Sequence, residues 1–401
     1  MAVSGEAGVF EADYRAVFET YIEKSVRRLL GRARLAETIL PLEDRIQTFH
    51  TLHYAFKLPA AWPVTRELLL TAALHMEQAG HRDEWMSYLE QAITLSRQMD
   101  DSGTTAELEL QLGVLYQLRS NYQAARRHLE ASIRHFETLK ESLNQARALN
   151  RLAYVARMQR RFDEVAALIE AAQCLLKEDE PERAYSFYVL ALVALDKRHW
   201  PDALNFSQES FRLWERKNDK RMMGRSLISR GFALHRLADY QAAIAIYEQA
   251  ITLFNAVQDT FYQSIVRMNL GNVYVDLNQP AEALKFYLPA EQVFRQVQDE
   301  LHLAMVYHNM GRAYHQLQQW DKAETVYLLS LQKKQKLGNI ASLVNTMGEL
   351  GATYLAENQP KQARAMLQEA LQQLRQIEGE PGYEFLREMI TTHLQQVSDN
   401  E

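Results

Sequence analysis

The chain has 401 residues, a net charge of −6 and one cysteine, which leaves no internal disulfide framework and no multi-cysteine metal motif and fits a reducing compartment. Its charged quarter is mixed in sign throughout, so no basic field points to nucleic acid or to a membrane surface. No stretch approaches about 18 consecutive apolar residues and Met1–Glu11 has no apolar signal core, so a soluble cytoplasmic protein is expected.

Residues 1–9 are read as disordered. From 10 to 31 the apolar residues Phe10, Tyr14, Val17, Phe18, Tyr21, Ile22, Val26 and Leu29 recur at helical spacing. A second helix follows Pro41, with Leu42, Ile46, Phe49 and Phe56 on one face, and Pro59 and Pro63 close it. Residues 10–63 are expected to form an N-terminal helical cap, since a terminal unit must present one polar outer face. Dimerisation or docking is the alternative role, and Arg27, Arg28, Arg32 and Arg34 read as a solvated helix face.

A self-similar pattern then occupies 64–380. Ala73, Gly113, Ala153, Ala191, Gly231, Gly271, Gly311 and Gly351 mark equivalent places at a constant interval, shortened by two positions only between Ala153 and Ala191. The interval, about 40 residues, falls in the range that is the signature of a stacked array. In the copy around Gly271, Ile265, Met268, Leu270, Val273 and Leu277 form one amphipathic helix. Asn278-Gln279-Pro280 breaks it, and a second helix runs through Ala283, Leu284, Tyr287, Ala290, Val293 and Phe294. Small residues recur twelve and nineteen places after each mark, as in Ala125, Ala283 and Ala323, or Ser132, Ala290 and Ser330, and let two antiparallel helices approach closely. Acidic or amide residues such as Asp101, Asp219, Asp259, Asp299 and Asn339 precede the next unit, and Asp299 is suited to cap its first helix. Eight helix pairs are expected. The charged link Lys177–Arg183 in the shortened interval predicts a local irregularity, and Pro381 is expected to start a C-terminal capping helix and tail over 381–401.

Leu112-Gly113 to Tyr116, Leu270-Gly271 to Tyr274, and Met310-Gly311 to Tyr314 with Ala323 and Ser330 resemble the tetratricopeptide repeat. The unit is longer than the usual one of roughly 34 residues. In this it is similar to those of Pins-type adaptors, kinesin light chains, the sensor domain of the maltose-regulon activator and Rap-type peptide receptors. The resemblance implies an all-α, right-handed TPR-like solenoid whose first helices line a concave wall. In that family the inward positions lie three and two before each mark and one and four after it. They carry over to Asn150, Arg151, Tyr154 and Arg157; Ile228, Ser229, Phe232 and His235; Met268, Asn269, Asn272 and Val275; and His308, Asn309, Arg312 and His315.

Asn269 and Asn309 hold one position in successive units, and an amide that donates and accepts suits an extended peptide backbone. Arg147, Arg151, Arg157, Arg225 and Arg312 suit acidic groups or a C-terminal carboxylate. Tyr185, Tyr188, Leu192 and Leu195 make a more apolar patch. Cys174, among leucines and alanines, reads as a buried structural thiol. The histidines do not converge with carboxylates, so no metal is expected. Nothing resembles a phosphate loop, nucleophile elbow or dinucleotide fingerprint, so no cofactor, no catalytic residue and no enzyme are expected. The expected function is a protein–protein interaction module binding a peptide or disordered segment along the wall. The alternatives are a peptide-responsive regulatory sensor of the Rap type, or an assembly scaffold using its termini or convex face.

Overall fold

The structure, a computed structural model, describes residues 4–36, 40–78, 82–380 and 382–399. Among these there are nineteen α-helices and no strand, divided between two compact units, Met1–Asn218 and Asp219–Glu401. In unit 1, α1 (Ser4–Leu35), α2 (Leu42–Ala55) and a 3-10 turn at Pro59–Ala61 precede four helix pairs. These are α3 (Trp62–Gln78) with α4 (Arg82–Gln98), α5 (Ser102–Leu118) with α6 (Tyr122–Leu139), α7 (Ser142–Met158) with α8 (Phe162–Leu175), and α9 (Arg183–Asp196) with α10 (Trp200–Arg216). Unit 2 has four more: α11 (Lys220–Arg236) with α12 (Tyr240–Ala256), α13 (Thr260–Asp276) with α14 (Pro280–Gln296), α15 (Glu300–Gln316) with α16 (Trp320–Leu337), and α17 (Ile340–Ala356) with α18 (Pro360–Leu374). The last helix, α19 (Tyr383–Asp399), lies against α17 and α18. The first helix starts at Ser4, inside the segment read as disordered. The side chains of Phe10 and Tyr14, and Pro381, lie outside the described residues.

The helices have nearly equal lengths because their ends are spelled alike. One residue in the left-handed region follows most helices of the pairs, at Asp100, Ser120, Lys140, Arg160 and Arg198, and again from Asn218 through Ala238, Gln258, Asn278, Gln298 and Gln318 to Gly338 and Asn358. The next residue caps the following helix. Asp101, Asp219, Asp259 and Asp299 each accept from the backbone N–H three residues on, at 2.9–3.1 Å, and Asn339 does the same for Ser342. Glu141 stands in the same place without capping, its side chain being one methylene longer. The expected irregularity lies at Lys177–Glu182: helices α8 and α9 on either side have 14 residues each instead of the usual 17, and no left-handed residue closes α8.

Packing explains the marks. A methyl group at Gly231, Gly271 or Gly311 would enter the ring of the tyrosine sixteen places on, Tyr247, Tyr287 or Tyr327, each fully buried. At Gly113 and Gly351 the facing residue is Leu129 or Leu367. Where the mark is alanine, the residue sixteen places on is Leu89, Ile169 or Ser207, never an aromatic. The ring-bearing pairs thus need a mark without a methyl group, as close packing demands. The serines among the small residues also satisfy themselves: Ser132, Ser210 and Ser330 donate across the pair to Ala106, Ala184 and Ala304 carbonyls at 2.7–2.9 Å. The α3/α4 pair departs from this: fully buried Trp85 occupies the alanine place, and these helices touch far less than the other pairs. Cys174 is exposed, contrary to expectation, because it lies on the outer side of α8 away from buried Ile169 and Ala172.

Candidate functional site

Within each unit the first helices of successive pairs lie side by side and are tied together by side chains roughly one repeat apart. In unit 1, Arg147 Nη1 and Nη2 donate to the Glu107 carboxylate at 3.0 and 3.2 Å. Arg157 holds Asp196 through two bonds of 2.6 and 2.9 Å. Burial opposes the Arg157 charge, but the Asp196 contact outweighs it and keeps this guanidinium above its ordinary pKa. The irregular link brings Glu182 onto the same face, where it accepts from Asn150 Nδ2 at 2.9 Å and Arg151 Nη1 at 3.2 Å. Ser186 donates to Asn150 Oδ1 at 2.9 Å, and Asn150 is completely buried. Arg151 also lies flat over the Tyr185 ring, 3.4 Å from its centroid. Tyr188 is buried too, packed on Tyr154 and Tyr185.

Of the unit 1 candidates, Asn150 is therefore not presented to a ligand, a correction that follows from the Glu182 link the repeat pattern does not contain. Arg147, Arg151 and Arg157 lie on the face as expected, but carboxylates of the chain already hold them. That removes the motive for an acidic partner group.

In unit 2, Asp276 is the centre of a three-helix contact, accepting from Arg312 at 2.9 Å and lying 2.8 Å from His235 Nε2. Burial alone would raise the Asp276 pKa; the bonds from His235 and Arg312 outweigh it and hold it below the usual carboxylate range. His308 Nδ1 is 3.0 Å from Thr346 Oγ1, and His315 Nδ1 is 2.9 Å from Thr353 Oγ1. Burial, aided by the charges of Lys334 and Arg312, pushes His308 well below the ordinary imidazole value, so it is neutral. Asn272 accepts from the Tyr287 hydroxyl at 2.7 Å. Arg225 lies over the Tyr262 ring at 5.1 Å, and Phe232 is partly buried. Met268 and Val275 are sealed in the core and leave the wall.

Asn269 and Asn309 differ from all of these. Both are 9% exposed, neither amide makes a hydrogen bond among the described residues, and neither belongs to the fully enclosed polar atoms. They stand at one register on adjacent helices, α13 and α15, that touch each other.

Three participants escaped the sequence reading. Glu349 holds in the last repeat the place of Asn269 and Asn309, and extending the same column past Gly311 finds it. Asp276 lies one residue beyond the positions carried over. Lys334, on a second helix, is buried and donates to Thr346 Oγ1 at 2.5 Å and the Ser342 carbonyl at 3.2 Å. Burial lowers its pKa to about 7, and only the three-dimensional packing reveals it. Among the described residues no three His, Cys, Asp or Glu side chains gather to hold a metal, and no helix is long and apolar enough to cross a membrane.

Antiparallel helix pairs that recur with the period of the marks, packed on their neighbours within each unit, define a TPR-like α-solenoid. Residues 224–256, 262–336 and 302–376 match the tetratricopeptide repeat, so the chain carries tetratricopeptide repeats there. No curated protein matches it. Among solved structures it is similar to a Rap protein complexed with Competence and Sporulation Factor, at 12% identity and TM-score 0.54, over 84% of this chain and 99% of that one. Aspartyl phosphate phosphatase F from Bacillus subtilis is similar at 13% identity and TM-score 0.54, over 85% and 97% of the two chains. A signal transduction ATPase with a tetratricopeptide repeat sensor from Pyrococcus horikoshii aligns at 13% identity and TM-score 0.57, over 84% of this chain and 52% of that one. At these identities the likeness is one of fold.

Proposed function

We propose that the chain is a protein–protein interaction module that takes a peptide or an unstructured partner segment along the first-helix face of unit 2. The observation that carries this reading is the pair Asn269 and Asn309, nearly buried yet without hydrogen-bond partners. Their amide atoms are not fully enclosed and stay open to water. A ligand main chain passing over both amides offers one acceptor and one donor to each in place of that water. Arg312, held by Asp276, and His308, held by Thr346, flank the row as fixed walls. The test uses the immobilised full chain and a pool of random hexapeptides, with retained peptides read by mass spectrometry. Wild type retains a defined subset; N269A/N309A loses it with the melting temperature unchanged. Undiminished retention by the double variant disproves this site.

A second reading, a regulator whose ligand alters how α1 and α2 engage a response protein, is favoured by the likeness to a Rap protein over 99% of that protein's length. Captured peptide should then change the small-angle scattering profile; identical profiles argue against it.

A further inference from the structure

The row that begins with Asn269 and Asn309 ends on Glu349, and this third member is chemically different. An asparagine amide both donates and accepts, whereas a carboxylate accepts only and carries charge. Glu349 is partly buried, on α17 beside α15. It lies within electrostatic reach of Arg312, His315, Tyr327 and Lys334. Its carboxylate nevertheless forms no ion pair and no hydrogen bond among the described residues.

The neighbouring cations are committed elsewhere. Arg312 donates to Asp276 at 2.9 Å, and Lys334 directs its protons to Thr346 Oγ1 and the Ser342 carbonyl. His308 is neutral and His315 is engaged with Thr353. The Tyr327 hydroxyl, fully enclosed and without a partner, does not pair with Glu349 either. Near neutral pH the Lys334 amine, held down to about 7 by burial, supplies only part of a countercharge. An unpaired, partly exposed carboxylate at one end of a row of unpaired amides is an acceptor that matches a group carrying several N–H donors and a positive charge.

We infer that Glu349 receives a cationic group of the ligand, an α-ammonium, a lysine ammonium or an arginine guanidinium, at the end of the Asn269–Asn309 row. This rests on the peptide reading above and specifies which peptides bind.

The same hexapeptide panning decides it, with one pool bearing free amino termini and the other acetylated. Wild type enriches peptides with a cationic group at one fixed position by about ten- to a hundredfold, the range of a charge-assisted hydrogen bond. An enrichment confined to the free pool assigns the α-ammonium, and one surviving acetylation assigns Lys or Arg. E349Q, which keeps the shape and removes the charge, loses the cationic bias while still capturing peptides through the asparagines. E182Q in unit 1 leaves it intact. Peptides captured without a cationic bias, or a bias that persists in E349Q, overturn this inference and leave the peptide reading standing. If wild type captures none, both fall.

Discussion

The same repeat carries two opposite polar faces in the two units. In unit 1 the family positions are filled by the chain itself: Glu107, Glu182 and Asp196 take up Arg147, Asn150, Arg151 and Arg157. In unit 2 the core of the row, Asn269, Asn309 and Glu349, has no internal partner. Residue type at a motif position therefore does not decide availability. What decides it is whether a neighbouring element delivers a complementary group, as Glu182 does for Asn150 and Arg151 and Asp276 for His235 and Arg312, but as none does for Asn269 and Asn309 among the described residues.

The largest expected effect breaks this contrast through Lys334. Its pKa falls from an ordinary 10.5 to about 7 on folding. Between those values the unfolded chain binds the extra proton, so folding stability rises with pH across the window and is lost as pH falls through 7. A gain of about 4 kcal/mol from pH 7 to pH 10 is expected. K334M should flatten this slope in urea unfolding, and an unchanged slope removes Lys334 from the account. Next, G271A drives a methyl group into the Tyr287 ring, at a cost of about 2 kcal/mol. The same change at Gly103, which has nothing within 4 Å, should cost nothing measurable.

The two asparagine sites then give the direct comparison. N150A strands Glu182 and Ser186, so about 2 kcal/mol of stability should be lost. N309A breaks no internal bond and should cost less than about 0.5 kcal/mol while weakening peptide capture. Equal costs by denaturant titration would erase the distinction between the units. A238G works in the opposite direction: Ala238 adopts φ 61° at a helix end, and glycine there should add about 1 kcal/mol, seen as a small rise in melting temperature.

The fold was legible because it is written in columns. Glycine or alanine at the marks, alanine or serine at the packing places and aspartate at the caps repeat often enough to identify one another. The site was legible only as a set of positions. Asn269 and Asn309 were picked out because they repeat, but the burial of Asn150 depends on Glu182, in the one link that breaks the period. The contact between Gly271 and Tyr287 was also present as two columns sixteen places apart, readable only when compared as pairs. Lys334 gave no such signal, since a lysine on the second helix of a pair reads as surface until the packing of α17 encloses it.

The equal spelling of the helix ends bears on how such a chain changes length. Asp259 and Asp299 each follow a left-handed residue, Gln258 and Gln298, and each caps a 17-residue helix in the same way. Excising residues 259–298 would rejoin Gln258 to Asp299 with the backbone geometry of the original joint. The deletion removes one whole pair and one row of the wall, Asn269 included, without disturbing the register of the rest. On the peptide reading proposed above, the length of ligand held is a count of modules, adjustable by duplication or loss of a single helix pair.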